Sequence, residues 1–460
     1  MKLGIYVQVP FCQTKCTYCN FHTGVVARER FRPYVEAVCR EIRDHRELLR
    51  AAGVKWGSGE WRVARRENEE ISDSVDTLYF GGGTPSLLEP GQLQKILETI
   101  REGFGRNRSV AVEPDGGALT EREETPRARG GRTEEEKGGE ASHSRPREDR
   151  LGRSNDRGSA STGQASRLEF AEVTLEADPE TVQEEKAAAW VRAGINRVSF
   201  GVQSFSDKEL AAAGRMHRRA DVCRAVPILR AAGIRNISFD LIAGLPHQTK
   251  QSWKQSLAEL TALGPEHVSV YLLEVDEGSR LGKELLRGGK RYSARAVPSE
   301  DEMTEFYEMA QQALGAVGYR HYEISNWAKP GLPSKHNLKY WRREPYLGFG
   351  AGAHSFSGKQ RWANAHDAAS YVTAIEKGRL PVEQLETITP EQALQEELFL
   401  GLRKLEGIDV AGIERKYGVR LRTRFEPLAR AGLVEREGDV VRLAEKRLSV
   451  SNEVFVELMR

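Results

Sequence analysis

Cys12, Cys16 and Cys19 stand in the run Phe11-Cys12-Gln13-Thr14-Lys15-Cys16-Thr17-Tyr18-Cys19, a C-x3-C-x2-C spacing near the start of the chain. Thiolates are soft ligands that suit iron–sulfur clusters and zinc. Most iron–sulfur clusters take four cysteines. Three can hold three irons of a 4Fe-4S cluster and leave the fourth open to a small chelating molecule. His22 follows Cys19 by three residues, so a second reading stays open: Cys12, Cys16, Cys19 and His22 closing a tetrahedral zinc site. A disulfide framework is disfavoured, because five cysteines in 460 residues fall far below a secreted scaffold. Cys39 and Cys223 lie in helix-like segments and read as ordinary buried thiols.

Other chemistry-bearing residues recur at the ends of apolar runs. Tyr79-Phe80-Gly81-Gly82-Gly83-Thr84-Pro85-Ser86 places three glycines where a backbone can approach a ligand closely. Leu175-Glu176-Ala177-Asp178-Pro179 offers a carboxylate that can accept from ribose hydroxyls. Gln203 ends another run, and Arg215 in Gly214-Arg215-Met216-His217 could pair with a carboxylate. Asp240, inside Phe239-Asp240-Leu241-Ile242, is costly unless partnered, which favours a site role over surface. Further on come His336-Asn337-Leu338-Lys339-Tyr340-Trp341 and a His354-containing glycine-rich run. A histidine among aromatic residues suits either a flat metal-bearing ligand or an aromatic core; the residues alone favour the core for His336 and more so for His354.

Short apolar runs alternate with helical patterns, and this alternation must position those residues. Strands are expected at Leu3–Val9, Val75–Phe80, Glu172–Glu176, Arg197–Phe200, Ile237–Ile242 and His267–Leu272. Helices are expected between them, at Arg32–Arg50, Gly91–Glu102, Val182–Ala193, Ala220–Ala232 and Gln251–Ala262. The pattern predicts an α/β fold with six parallel strands, an open (β/α)6 partial TIM barrel with its chemistry at the carboxyl ends of the strands. We expect the barrel over 1–325, a linker carrying the histidine–aromatic motif and closing the barrel over 326–388, and a separate domain over 389–460. In the last, helices at Glu391–Lys404, Val410–Lys416 and Arg422–Ala431 precede strands at Leu433–Arg436 and Val440–Leu443, a winged-helix-like order. DNA recognition by such a wing is disfavoured, since Glu435, Glu437 and Asp439 offset Arg420, Arg422 and Arg424.

Lys and Arg number 69 and Asp and Glu 67, a net charge of +2 that gives no global case for nucleic-acid or membrane binding. No run reaches the ~20 apolar residues of a transmembrane anchor, and the first residues are too short an apolar core for a signal peptide. The cytoplasm is the expected compartment. From about Gly105 to Ala165 the chain is rich in Gly, Arg, Glu, Ser and Pro, and reads as a disordered insertion. A smaller insertion is expected at Gly53–Ser72, and His143 is assigned no chemistry.

The cysteine spacing resembles that of the radical S-adenosylmethionine (SAM) superfamily. There the open iron chelates SAM and one electron from the cluster breaks a carbon–sulfur bond. Taken in order, the motifs resemble the oxygen-independent coproporphyrinogen III oxidases and their relatives, the HemW-type haem chaperones. The likeness covers nearly all of 1–104 and 168–375, and more loosely 389–458. Phe21 stands where the oxidase pattern adds a fourth cysteine, the first strand begins at Leu3 without the oxidase's N-terminal extension, and His336-Asn337-Leu338-Lys339-Tyr340-Trp341 matches the chaperone branch's HNxxYW motif. The resemblance implies that Cys12, Cys16 and Cys19 ligate the cluster. It further implies that Tyr6, Gly82, Gly83, Thr84, Glu176, Gln203, Arg215 and Asp240 contact SAM, and that His336, Tyr340 and Trp341 are haem-binding candidates. One departure is Gln8, where the family usually has histidine. The implied activity is binding haem and passing it to acceptor haemoproteins, without coproporphyrinogen oxidase activity; the alternative is oxidative decarboxylation of two propionates of coproporphyrinogen III. A homodimer is compatible with the resemblance.

Overall fold

The computed structural model describes residues 2–21, 23–54, 74–105 and 169–459. The expected insertions, with His143, lie almost entirely outside the described residues, and so does His22 of the zinc alternative.

Six strands and their crossover helices make the barrel: β1 (Leu3–Val9), α1 (Phe31–Ala51), β2 (Val75–Gly82), α2 (Pro90–Phe104), β3 (Glu172–Ala177), α3 (Glu184–Ala193), β4 (Arg197–Gln203), α4 (Asp207–Ala212), α5 (Arg219–Ala232), β5 (Asn236–Ala243), α6 (Lys250–Leu263) and β6 (His267–Leu272). All six strands are parallel and neighbour one another in chain order. Their β-branched and aromatic residues are covered on both faces, by helices outside and by packed side chains within, as parallel sheets require. Ile5, Val7, Leu78, Leu175, Val198 and Phe239 are fully buried. Each such side chain contributes roughly 2 kcal/mol by leaving water. The six carboxyl ends, at Val9, Gly82, Ala177, Gln203, Ala243 and Leu272, therefore gather at one mouth.

The chain continues through α7 (Arg280–Leu286), α8 (Glu300–Ala316), β7 (Arg320–Glu323), β8 (Asn326–Ala328), α9 (Lys335–Trp341), β9 (Tyr346–Phe349), β10 (His354–Phe356), β11 (Gln360–Asn364), α10 (Ala368–Glu376) and β12 (Val382–Thr387). These strands extend the sheet at both edges. β8 joins β6 antiparallel and carries β7. β9 joins β1 parallel and carries β10, β11 and β12 antiparallel. The result is one sheet of twelve strands, ordered β12-β11-β10-β9-β1-β2-β3-β4-β5-β6-β8-β7. Segment 326–388 thus supplies five of the strands as well as the histidine–aromatic helix.

The C-terminal region comprises α11 (Pro390–Leu402), β13 (Ile408–Asp409), α12 (Val410–Tyr417), α13 (Arg422–Arg430), β14 (Val434–Glu437), β15 (Val440–Leu443) and α14 (Ser451–Met459). Its three strands order as β13-β15-β14, the small sheet of a winged-helix-like domain. On the wing, Arg442 is engaged by Glu435 at 3.1 Å and Glu437 at 3.5 Å. The domain is tied to the barrel by Glu396, which takes Arg343 at 2.7 Å and Arg361 at 2.8 Å. Among the described residues no helix is long and apolar enough to cross a membrane.

One buried carboxyl locks the edge extension to α1. Glu41 accepts from the Gly350 amide (2.8 Å), the Tyr371 hydroxyl (2.6 Å) and the Asn364 amide nitrogen (2.7 Å). Burial pushes its carboxyl up to about 7, against the three hydrogen bonds that favour its anion. The folded chain therefore binds this proton more tightly than the unfolded chain. The contribution is favourable at low pH and is lost as pH rises from about 4.5 through 7, on the order of 3 kcal/mol in all. We expect the melting temperature of Glu41→Gln to fall less between pH 5 and pH 8 than that of the wild type. Parallel pH profiles for the two proteins would contradict this.

Candidate active site

The cysteine loop leaves β1 at Pro10 and returns by two backbone hydrogen bonds, from the Gly24 amide to the Pro10 carbonyl (2.9 Å) and from the Cys12 amide to the Gly24 carbonyl (3.0 Å). It rests on the glycine loop backbone to backbone. The Thr84 amide donates to the Phe11 carbonyl (2.7 Å), and a Cβ on Gly83 would come within 2.5 Å of that same oxygen. Gly82 sits at φ +106°, where a side chain would collide with Gln8, so the turn after β2 requires glycine here. The other side of the cysteine loop is held by the Thr17 amide on the Ala213 carbonyl (2.9 Å) and the Leu281 amide on the Thr17 carbonyl (2.8 Å).

Behind the loop lies a cavity of about 460 Å3 at the carboxyl ends of the strands. Its lining includes Cys12, Cys16 and Cys19 and seven of the eight residues expected to contact SAM: Gly82, Gly83, Thr84, Glu176, Gln203, Arg215 and Asp240. The eighth, Tyr6, sits behind the wall, stacked on Tyr79 with ring centroids 5.9 Å apart and donating to Gln8 at 2.9 Å. Glu176 accepts from the Tyr79 hydroxyl (2.8 Å) and the Gly82 amide (3.1 Å). Burial, the largest influence, lifts its carboxyl to about 7. Asp240 is likewise raised by burial, with Ser199 donating to it at 3.2 Å. Gln203 adopts φ +64° where the register between β4 and β5 shifts, a bulge that re-aims its side chain.

Asp178, not assigned a role from sequence, joins the set. It pairs with Arg215 and accepts from the Thr84 hydroxyl at 3.0 Å. Arg215 also donates to the Gly201 carbonyl at 3.0 Å and to the Cys16 sulfur at 3.5 Å. Tyr79 and the buried Arg197 line the same cavity. All three were ambiguous in the chain because each gains its meaning from a partner distant in sequence; the position of Asp178, one residue past a strand end, was the available signal.

Three comparisons bear on this arrangement. The radical SAM superfamily pattern matches residues 138–260, and the HemN C-terminal domain matches residues 388–446. The chain is 30% identical to the heme chaperone HemW of Bacillus subtilis over 98% of its own length and 97% of that protein's. It is 31% identical to the heme chaperone HemW of Synechocystis over 89% and 79% of the two chains. The chain belongs to the HemW family of radical SAM proteins. The coproporphyrinogen III oxidase HemN of Escherichia coli shares the fold, with a TM-score of 0.69, 19% identity, and coverage of 99% of this chain and 90% of that one. The open α/β barrel of the radical SAM type with its small C-terminal domain is thereby established.

The HemW-family site suits an iron–sulfur cluster by its donor chemistry: three free thiols on one cavity wall, with an arginine donating to one of them. Burial raises the Cys12 and Cys19 thiols. Among the described residues no three His, Cys, Asp or Glu side chains converge as a ready metal site. Metal capture would therefore draw in the thiols and displace their protons.

The histidine–aromatic motif lies elsewhere. His336, Tyr340 and Trp341 do not line the cavity, although Asn337 does. α9 begins with its Lys335 and His336 amides donating to the Glu172 carboxylate, each at 3.0 Å. His336 is 1% exposed, with Nδ1 on the Thr77 hydroxyl (3.0 Å) and Nε2 on the Tyr340 hydroxyl (2.9 Å). Burial, then Lys339 and Arg197, lower its imidazolium to about 3, so the ring is neutral. Trp341 lies under Arg403 at 4.5 Å. Iron ligation by His336 would require breaking one of its two hydrogen bonds and opening the barrel floor. We expect His336→Ala to lower the melting temperature by several degrees, at a cost of about 2–4 kcal/mol, while haem affinity stays within twofold. Affinity lost with melting unchanged would make His336 a ligand instead.

Proposed function

We propose that this protein is a haem chaperone that binds haem and transfers it to acceptor haemoproteins. In this reading it holds a 4Fe-4S cluster on Cys12, Cys16 and Cys19 and SAM in the cavity behind them. The observation that carries the reading is the likeness to chains named heme chaperone over almost the whole length of both proteins, the C-terminal domain included. Phe21 adds support. At the position where the oxidase pattern continues with a cysteine, its ring stands exposed at the rim of the cavity.

When bound, the cluster would supply an open iron for SAM and one electron. The chain's own residues have separate tasks. Glu176 and Asp240, on either side of Ser199 in the strand row, offer acceptors to ribose hydroxyls. The Gly82–Gly83 turn would receive the SAM amino group, and the Arg215–Asp178 pair holds the Cys16 loop. The tyrosine layer of Tyr6 and Tyr79 closes the floor against water.

The second reading, an oxygen-independent coproporphyrinogen III oxidase, is supported by the retention of this polar set. Haem transfer itself tests the first. Reconstituted protein should bind one haem per chain and pass it to an apo-haemoprotein, followed by that acceptor's Soret band. Cys16→Ala should lose the cluster's visible absorbance and most of the transfer rate. A cluster intact in Cys16→Ala, or no haem bound by the wild type, would overturn the proposal.

A further inference from the structure

The carboxyl-end mouth is bordered by a segment that the SAM site does not use. Between Ser279 and Ala296 the chain carries Arg280, Lys283, Arg287, Lys290, Arg291 and Arg295 against a single carboxylate, Glu284. All six cations are exposed, and among the described residues none forms an ion pair with a carboxylate. Glu284 is engaged instead by the Arg291 backbone amide at 3.1 Å. Lys283 acts on the Asp276 carboxylate just before the segment, whereas Arg287, Lys290, Arg291 and Arg295 form no ion pair among the described residues; cations so close repel one another unless solvated or opposite an anion.

The segment is bolted to the cysteine loop. Arg280 donates to the Lys15 carbonyl, the Leu281 amide donates to the Thr17 carbonyl at 2.8 Å, and the Asp276 carboxylate just before it accepts from Asn20. Its turn is held in an uncommon conformation, with Tyr292 at φ +55° and Ser293 at φ +57°. The Tyr292 ring lies between two of the cations, Arg280 at 5.4 Å and Arg291 at 5.3 Å from its centroid.

Apolar side chains stand exposed on the same rim. Phe21, Met216 and Tyr271 line the mouth, Val275 precedes the basic segment and Leu286 lies within it; these five are 43–65% exposed. Large apolar groups left open around a cavity mark a binding surface. The two properties side by side, an apolar rim and an unpaired cationic edge, fit a flat ligand that is apolar over most of its area and anionic along one side. A nucleic acid or a free phosphate would leave the rim uncovered, and a neutral apolar ligand would leave the cations unpaired.

We infer that the mouth takes haem face-on against the Phe21–Met216–Tyr271 rim, with its two propionates on the cations of 287–295. This deepens the chaperone reading and rests on it. It is tested on the full-length, cluster-loaded protein by anaerobic titration with haemin and with haemin whose two propionates are esterified. Expected is roughly tenfold weaker binding of the diester by the wild type. The triple variant R287Q/K290Q/R291Q should bind haemin as weakly as the wild type binds the diester, and should bind the diester as the wild type does. Equal affinity of the wild type for haemin and diester would overturn the inference while leaving haem binding in place. Loss of both ligands alike in the variant would overturn it too, since the effect would not follow the propionate charge. Failure of the wild type to bind haemin at all would overturn the chaperone reading together with it.

Discussion

The pairing of Arg215 with Asp178 is the contact on which the site's geometry depends. Asp178 stands just past the end of β3, Arg215 follows β4, and through the Cys16 sulfur and the Gly201 carbonyl the guanidinium binds both strand ends to the cysteine loop. Both side chains are largely shielded from solvent. Removing either partner would leave the other as an uncompensated charge, at a cost of about 3–5 kcal/mol. A loop of nine residues with three thiols has little structure of its own. Its shape comes from this pair on one side and from the glycine turn on the other.

That arrangement follows from how parallel strands are built. Because β1 to β6 run the same way, every residue just past a strand end faces one mouth, whatever its separation in sequence. The strands themselves were legible: Leu3–Val9 and His267–Leu272 coincide with the expectation, and the other four differ only at their ends. Branched and aromatic runs between helical patterns are a strong signal when buried on both faces. Glu176 and Asp240 were recognisable for the same reason, as carboxylates inside or ending apolar runs.

The sheet's edges were not legible. β9 is only Tyr346-Leu347-Gly348-Phe349, short and glycine-containing, and it read as an aromatic cluster. β12, Val382–Thr387, is exposed along nearly its whole length and so shows no alternation of apolar and polar residues. β9 pairs along the free edge of β1 and β12 along that of β11, a tertiary cause that no local pattern carries. The histidine–aromatic motif was open to two readings. Its composition suits a flat ligand or a core equally well. The placement of α9 against Thr77, with Glu172 at its N-terminus, favours the core. The basic segment 279–296 carried no reading from sequence; its hydrogen bonds to the cysteine loop set it beside the mouth.

In the proposed reading, a barrel that keeps the residues expected to contact SAM, with an exposed phenylalanine and an open apolar rim, holds a tetrapyrrole without remaking it. The most direct test is anaerobic turnover with coproporphyrinogen III, SAM and a reductant, using protein with a verified cluster and mass spectrometry of the tetrapyrrole. The account predicts no decarboxylated product while the cluster's absorbance persists. Product accumulating beyond one equivalent per chain would contradict it and make the protein an oxidase.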